Sequence, residues 1–329
     1  MLFIVASTKW VTPGRRMEMK KIGIAGSGLM GISMAQCFAK HGYEVYIYDI
    51  SAHSLKQGEN LIKANQKAEV SQNKITEEQS QAIISRISFN TDLESSFSEV
   101  NYLIEAIKEE LATKQDFWKK VETIAPKDCI FATNTSSLSI TQIALKMQNK
   151  QRFGGMHWFN PPHLIPLVEV IKGQGTAEET SQKIYKLALS IEKIPIVVEK
   201  DVPGFVGNRL QHALFREAVA LANDSVASIY DIDKAVKYGI GFRWACMGPF
   251  EIADQGGVDL WYRVNENLFK ELDVSQKPTG IIKNLYEQGD FGITTGKGFY
   301  EYDLDSEVDI KKRGEFYNRL AAMTELNNY

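Results

Sequence analysis

The feature that most constrains this chain is Gly26-Ser27-Gly28-Leu29-Met30-Gly31, set directly after the apolar run Ile22-Gly23-Ile24-Ala25. Behind it Ile32, Ala35, Phe38 and Ala39 recur at helical spacing, His41-Gly42 ends that helix, and Glu44 to Tyr48 reads as a second strand ending at Asp49. Strand, G-x-G-x-x-G turn, helix and strand form one βαβ unit built around a phosphate. Gly26 permits the tight turn, and Gly28 lets a pyrophosphate approach the backbone. Gly31 lets the helix pack close, and the helix start at Leu29 and Met30 faces the phosphates. Asp49 lies 18 residues past Gly31, where a carboxylate can bind both hydroxyls of an adenosine ribose. It would repel a 2′-phosphate and no Arg follows it immediately, so NAD is expected as the cofactor rather than NADP.

The chain has 329 residues, 44% of them apolar, enough for two domains with real cores. Residues 51–90 are polar with a helical pattern and read as a helical hairpin, its second helix capped by Thr76. Strands then resume at Tyr102–Ala106, at Cys129–Ala132 and around His157, with a helix near 177–191 and a last strand at Ile194–Glu199. After Asp201-Val202-Pro203-Gly204 the alternation stops and helical periodicity takes over. The expected fold is α/β: a Rossmann-type NAD-binding domain with a helical-hairpin insertion, followed by an all-α C-terminal domain. The boundaries are 20–200 for the first, 201–303 for the second and 304–329 for a tail helix. Residues 1–19 read either as an N-terminal extension or as sequence before a later start at Met17 or Met19.

Charge and cysteine usage exclude several classes. Lys and Arg number 38 against 41 Asp and Glu, with no basic stripe, so no nucleic-acid partner is expected. Cys37, Cys129 and Cys246 form no CxxC pair and no metal-ligand spacing. Free thiols in a reducing cytoplasm and no metal are expected. No apolar run approaches the roughly 18 residues of a membrane span.

Chemistry is expected where the strands end. His157 is followed by Asn160-Pro161-Pro162 and, twelve residues on, by Glu169 within an apolar β-branched run. Histidine exchanges protons near neutral pH, and a carboxylate on its other ring nitrogen would fix the tautomer and stabilise the imidazolium. The alternative is a hydrogen-bonded core histidine beside a turn. Glu109 and Lys114 follow the strand at 102–106 on the ligand side of such a sheet. Asn134-Thr135-Ser136-Ser137 end the next strand. They suit contacts to a nicotinamide ribose or a substrate oxygen, or capping of a helix at 139–147; the two uses are compatible. Gly239-Ile240-Gly241-Phe242-Arg243-Trp244 reads as a glycine-rich loop.

Seven motifs in order resemble the L-3-hydroxyacyl-CoA dehydrogenase family, including bacterial 3-hydroxybutyryl-CoA dehydrogenases of fatty acid metabolism. They are the Gly26–Gly31 turn, Asn134-Thr135-Ser136-Ser137, His157-x-Phe159-Asn160-Pro161, Leu167-Val168-Glu169-Val170, Pro203-Gly204-Phe205-x-x-Asn208-Arg209, Gly248-Pro249-Phe250-Glu251 and Gly296-x-Gly298-Phe299-Tyr300. The resemblance spans about residues 20–303. It implies that His157 is the catalytic acid/base with Glu169 as its partner. It implies that Ser136 and Asn208 contact the substrate oxygen, that Glu109, Lys114 and Asn160 lie near the nicotinamide, and that the helical domain forms a homodimer. The activity implied is reversible NAD-dependent oxidation of a short-chain (S)-3-hydroxyacyl-CoA. Several positions depart from the pattern. Trp158, Pro162 and His163 look closer to relatives that oxidise L-gulonate or carnitine, and Asn65, Gln72 and Thr294 replace residues the family often offers to CoA or sets before the last turn. Arg243 reads as a surface or dimer-contact residue, with a substrate carboxylate as the alternative. A free 3-hydroxy acid is therefore the second expectation, and a crystallin-like dinucleotide-binding protein without turnover the third.

Overall fold

A computed structural model describes residues 20–303 and 305–326. The extension expected at 1–19 lies outside the described residues. Two compact units result, one of residues 20–163 and 167–201, the other of 164–166 and 202 onward.

The first unit begins with β1 (Lys21–Ala25), α1 (Leu29–Lys40) and β2 (Glu44–Tyr48). The inserted helices α2 (Ala52–Ser71) and α3 (Glu77–Ser85) follow, then β3 (Ile87–Asn90), α4 (Leu93–Phe97), β4 (Tyr102–Glu105), α5 (Leu111–Val121), β5 (Ile130–Thr133) and α6 (Ile140–Ile143). β6 (Phe153–Trp158), β7 (Leu167–Ile171), α7 (Glu178–Leu189) and β8 (Ile194–Val198) complete it. The strands form one sheet in the order β3-β2-β1-β4-β5-β6-β7-β8. Strands β3 to β6 in that order are parallel, β7 runs antiparallel to β6, and β8 is parallel to β7. The order reverses between β1 and β4, and at such a switch point an open α/β sheet binds its ligand beyond the carboxyl ends of the strands.

Helices cover both faces, so the central strands are apolar on both sides rather than alternating. All four residues of β5 are buried, and α1 buries Ile32, Met34, Ala35 and Phe38. Ile130 and Ala132 of β5 and these α1 residues join Ile22, Ile24, Val45, Ile47, Val168, Val170 and Ile184 in one core. Trp118 of α5 fills the space beneath β5 and β6, with Phe131, Phe117 and Phe153 at ring-centroid distances of 5.2, 5.2 and 5.0 Å.

The hairpin is local chemistry made visible. Ser51 caps α2 through the Ser54 amide at 3.1 Å, and Thr76 with Gln79 closes a capping box at the start of α3. Gly58 lets α2 lie on α1, since a Cβ there would sit 2.5 Å from Ile32 Cδ1. The pattern differs from expectation in three places. Ile87–Asn90 is an edge strand paired with β2, not helix; only Ile87 and Phe89 carry its apolar face, too short a signal to read from sequence. The helix expected over 139–147 stops at Ile143 and continues as a 3₁₀ turn, and Ser139 is its cap. The stretch expected as a glycine-rich loop at 239–244 is helical, with Gly241 at φ −64° and ψ −35°.

The second unit is helical: α8 (Gly207–Asn223), α9 (Ile229–Ala235), α10 (Gly241–Trp244), α11 (Pro249–Gly256), α12 (Val258–Leu268), α13 (Ile281–Gln288) and α14 (Glu307–Leu326). Among its described residues Phe205 and Ile252 are buried, whereas α8 buries none. No described helix is long and apolar enough to cross a membrane.

Candidate active site

The nucleotide end of the site is built by the turn after β1. Gly26 has φ +104°, and a Cβ there would meet the Ala106 carbonyl oxygen at 2.5 Å. A Cβ on Gly31 would lie 1.9 Å from the Gly26 oxygen. Gly28 has open space around it, the room a pyrophosphate needs at the start of α1. Beyond β2, Asp49 Oδ2 accepts the Ser27 amide at 2.9 Å and the Ser27 hydroxyl at 2.8 Å, while Oδ1 accepts the Ser51 amide at 3.0 Å. These donors orient a carboxylate on the wall of a cavity of about 730 Å³ lined by Gly26, Gly28, Leu29, Asp49, Ile107 and Phe117. Lys108 is the one cation in that lining, and Glu110 pairs with it at 3.2 Å. Met30 lies just behind, in the first turn of α1. Glycines that tolerate no side chain, an open approach and a fixed acid all fit a dinucleotide with an unphosphorylated ribose.

His157 and Glu169 are direct cross-strand partners in the antiparallel pair β6–β7. Facing residues in such a pair bring their side chains together. His157 Nδ1 lies 2.8 Å from Glu169 Oε2, with His157 4% exposed and Glu169 fully buried. The Phe159 ring packs 4.7 Å from the imidazole. A carboxylate on Nδ1 fixes the tautomer of a histidine and would stabilise its imidazolium. Asn160, exposed just past β6, precedes Pro161 by a cis peptide bond.

The loop after β5 is held from both sides. Asn134 Oδ1 accepts the Trp158 amide at 2.8 Å, tying it to β6 beside His157. Glu109 Oε1 accepts from the Thr135 hydroxyl at 2.5 Å, the Ser136 and Ser137 amides at 3.2 and 3.3 Å, and the Ser137 hydroxyl at 3.1 Å. Lys114 pairs with Glu109 Oε2 at 3.1 Å and with Glu105. Partial burial raises the Glu109 carboxyl, but the Thr135 hydroxyl, the Lys114 charge and the Ser137 hydroxyl outweigh it and hold the group below the ordinary carboxylate value.

Glu105 is the residue that sequence reasoning missed. It is fully buried at the end of β4 and accepts from Lys114, the Thr133 hydroxyl at 2.8 Å, the Ile107 amide at 2.9 Å and Trp118 Nε1 at 3.3 Å. The signal was there: a lone acid in an apolar strand demands a cation and donors. Asn208 lies in the first turn of α8, within the helical unit. Arg243 is exposed on α10. No cluster of three or more metal-ligating side chains occurs among the described residues.

Comparison with known proteins follows the same division of the chain. Residues 21–202 match the model for the 3-hydroxyacyl-CoA dehydrogenase NAD-binding domain, and residues 204–302 match that for the family's C-terminal domain. The chain belongs to the 3-hydroxyacyl-CoA dehydrogenase family. It is an NAD-dependent oxidoreductase rather than a bare dinucleotide-binding protein. It is 36% identical to a probable 3-hydroxybutyryl-CoA dehydrogenase of Bacillus subtilis over 87% of this chain and 99% of the relative. It is 33% identical to 5-formyl-3-hydroxy-2-methylpyridine 4-carboxylate 5-dehydrogenase of Mesorhizobium japonicum over 86% of this chain and 91% of the relative. A crystal structure of an enzyme of that latter description, called an NAD+-dependent dismutase, superposes with a TM-score of 0.85, 31% identity and coverage of 94% and 98%.

The inserted hairpin carries Lys56, Glu59, Lys63, Asn65 and Gln72. Glu59 binds Lys56 and Lys63 at 2.8 and 2.6 Å, and those two ammonium groups pull its carboxyl down to about 2. Asn65 donates to Gln36 on α1 at 3.0 Å, and Gln72 is the C-cap of α2.

Proposed function

We propose that this chain reversibly oxidises the 3-hydroxyl of a short-chain (S)-3-hydroxyacyl-CoA to the 3-oxo thioester. The observation that carries the proposal is the buried His157–Glu169 pair at 2.8 Å. When bound, NAD supplies the two-electron acceptor for the carbinol carbon. His157 takes the hydroxyl proton at Nε2 while Glu169 holds the Nδ1 proton and stabilises the imidazolium. Ser136 and Asn208 hold the substrate oxygen, and Glu109, Lys114, Asn134 and Asn160 border the nicotinamide side. The bare apolar surface of the helical unit, with Leu210, Phe250 and Tyr262 61, 86 and 66% exposed, supports a homodimer formed through it. Its three thiols suit a reducing cytoplasm.

The test is His157→Gln assayed with acetoacetyl-CoA and NADH. Turnover should fall by at least about a hundredfold with NADH binding retained. Wild-type turnover in that variant removes His157 from the mechanism.

A second reading, an NAD-dependent dehydrogenase of a free acid such as L-gulonate, carnitine or a pyridine carboxylate, is favoured by the hairpin. Glu59 engages two lysines that would otherwise meet CoA phosphates, and Asn65 is turned to α1. Parallel turnover of acetoacetyl-CoA and of these acids decides between the two. Glu59→Ala should lower KM for the thioester only if CoA lies along α2.

A further inference from the structure

We infer that Glu109 is a positioning residue for Ser136, and that the buried Lys114–Glu105 pair behind it keeps its carboxylate at that task. The inference rests on the reading of Ser136 as a substrate contact. Ser136 sits on an exposed turn after β5, where a loop would ordinarily sample many conformations. Here one carboxylate oxygen gathers four donors from three successive residues. Two of them are the backbone amides of Ser136 and Ser137, so the clamp fixes the main chain that carries the hydroxyl. Thr135 is its hinge: its hydroxyl donates to Glu109 and accepts the Leu138 amide at 3.0 Å, pinning both ends of the turn.

The other oxygen of Glu109 faces Lys114, which is 1% exposed. A buried ammonium is costly unless paired and hydrogen-bonded. Glu105 provides that pairing from below and is itself locked by Thr133, Trp118 and the Ile107 amide. Glu105 belongs to β4 and Thr133 to β5, so the charge chain is anchored in two adjacent strands of the sheet. The same loop is tied to the strand of His157 through Asn134 and the Trp158 amide. The Ser136 hydroxyl is thereby set in a fixed relation to the imidazole strand before any substrate arrives. Pre-set geometry of this kind lowers the entropy cost of reaching the reactive arrangement. Thr135 is fully buried, so its own hydroxyl is not presented to a substrate.

The experiment compares Thr135→Val, which removes the hydroxyl at nearly constant volume, with Thr135→Ser, which keeps it. Amide exchange of residues 136–138 is measured in the NADH complex. Turnover is measured with NADH and acetoacetyl-CoA, or with NAD and L-gulonate if the wild type prefers that substrate. Thr135→Val should speed exchange and cut kcat by about tenfold each, the scale of one lost hydrogen bond to a charged group, with NADH affinity held within about twofold. Thr135→Ser should restore both. In a double-mutant cycle Thr135→Val should add little to Ser136→Ala, because both remove the same contribution. Unchanged exchange in Thr135→Val, or effects of the two substitutions that multiply in full, overturns the inference. Wild-type kcat in Ser136→Ala would instead sink the substrate-contact reading, and the exchange result would still decide the clamp.

Discussion

Replacing Glu169 by Gln tests the acid/base pair without emptying its space. The amide oxygen can still accept the His157 Nδ1 proton, so the 2.8 Å geometry survives while the charge is lost. Unit charges about 4 Å apart attract by about 4 kcal/mol at an effective dielectric of about 20. Hydrogen bonds to charged groups contribute about 1.5–3 kcal/mol net. Both partners are buried, so solvent screening removes little of this. A loss near 3 kcal/mol in stabilising the imidazolium corresponds to about a hundredfold in kcat. The assay is steady-state oxidation followed by NADH absorbance, with NADH affinity taken separately by fluorescence titration. The expected result is a kcat about a hundredfold lower at unchanged NADH affinity. A kcat within about threefold of wild type would refute the reasoning.

Other consequences can be checked in the same protein. Gly31→Ala places a carbon 1.9 Å from the Gly26 oxygen, so NADH affinity should fall by at least about tenfold in a titration. Asp49→Ala should narrow the preference for NADH over NADPH by about tenfold or more in kcat/KM, since the repelling carboxylate is gone. Trp118→Ala should cost about 3–5 kcal/mol in urea unfolding, and Trp118→Phe, which keeps one aromatic ring but leaves a small void and drops the bond to Glu105, about 2 kcal/mol. Glu109 has a depressed folded value, so the stability it lends is present above its unfolded value and is lost as pH falls through the lower folded one. Exchange protection of the Ser136 and Ser137 amides should therefore persist through the ordinary glutamate value of about 4.3 and be lost only at lower pH; loss already at about pH 6 would contradict the assignment.

The first βαβ unit could be read almost residue by residue, because each glycine and Asp49 answers a separate physical demand of one ligand. The association of His157 with Glu169 was also legible, but not its cause. The Pro-rich stretch between them leaves room for the chain to turn back, as β6 and β7 do, but it does not give the antiparallel register that sets the two residues face to face. Strand direction is a property of the whole sheet, and twelve residues do not carry it. Ile87–Asn90 escaped notice because an edge strand of four residues borrows its stability from β2. The polar run 134–137 offers both a ligand contact and a helix cap; Ser139 caps the helix, and Glu109 and Trp158 hold the run. Those partners lie tens of residues away, and no local pattern announces them.

The antiparallel turn-back divides the restraints on this region. His157 and Glu169 are fixed by strand register, while the stretch between them is held by the Phe159 ring against the imidazole and by the Pro162 carbonyl, which accepts from the buried Lys193 Nζ. A change at Phe159 therefore reaches the imidazole directly, whereas the meeting of imidazole and acid is a property of the sheet.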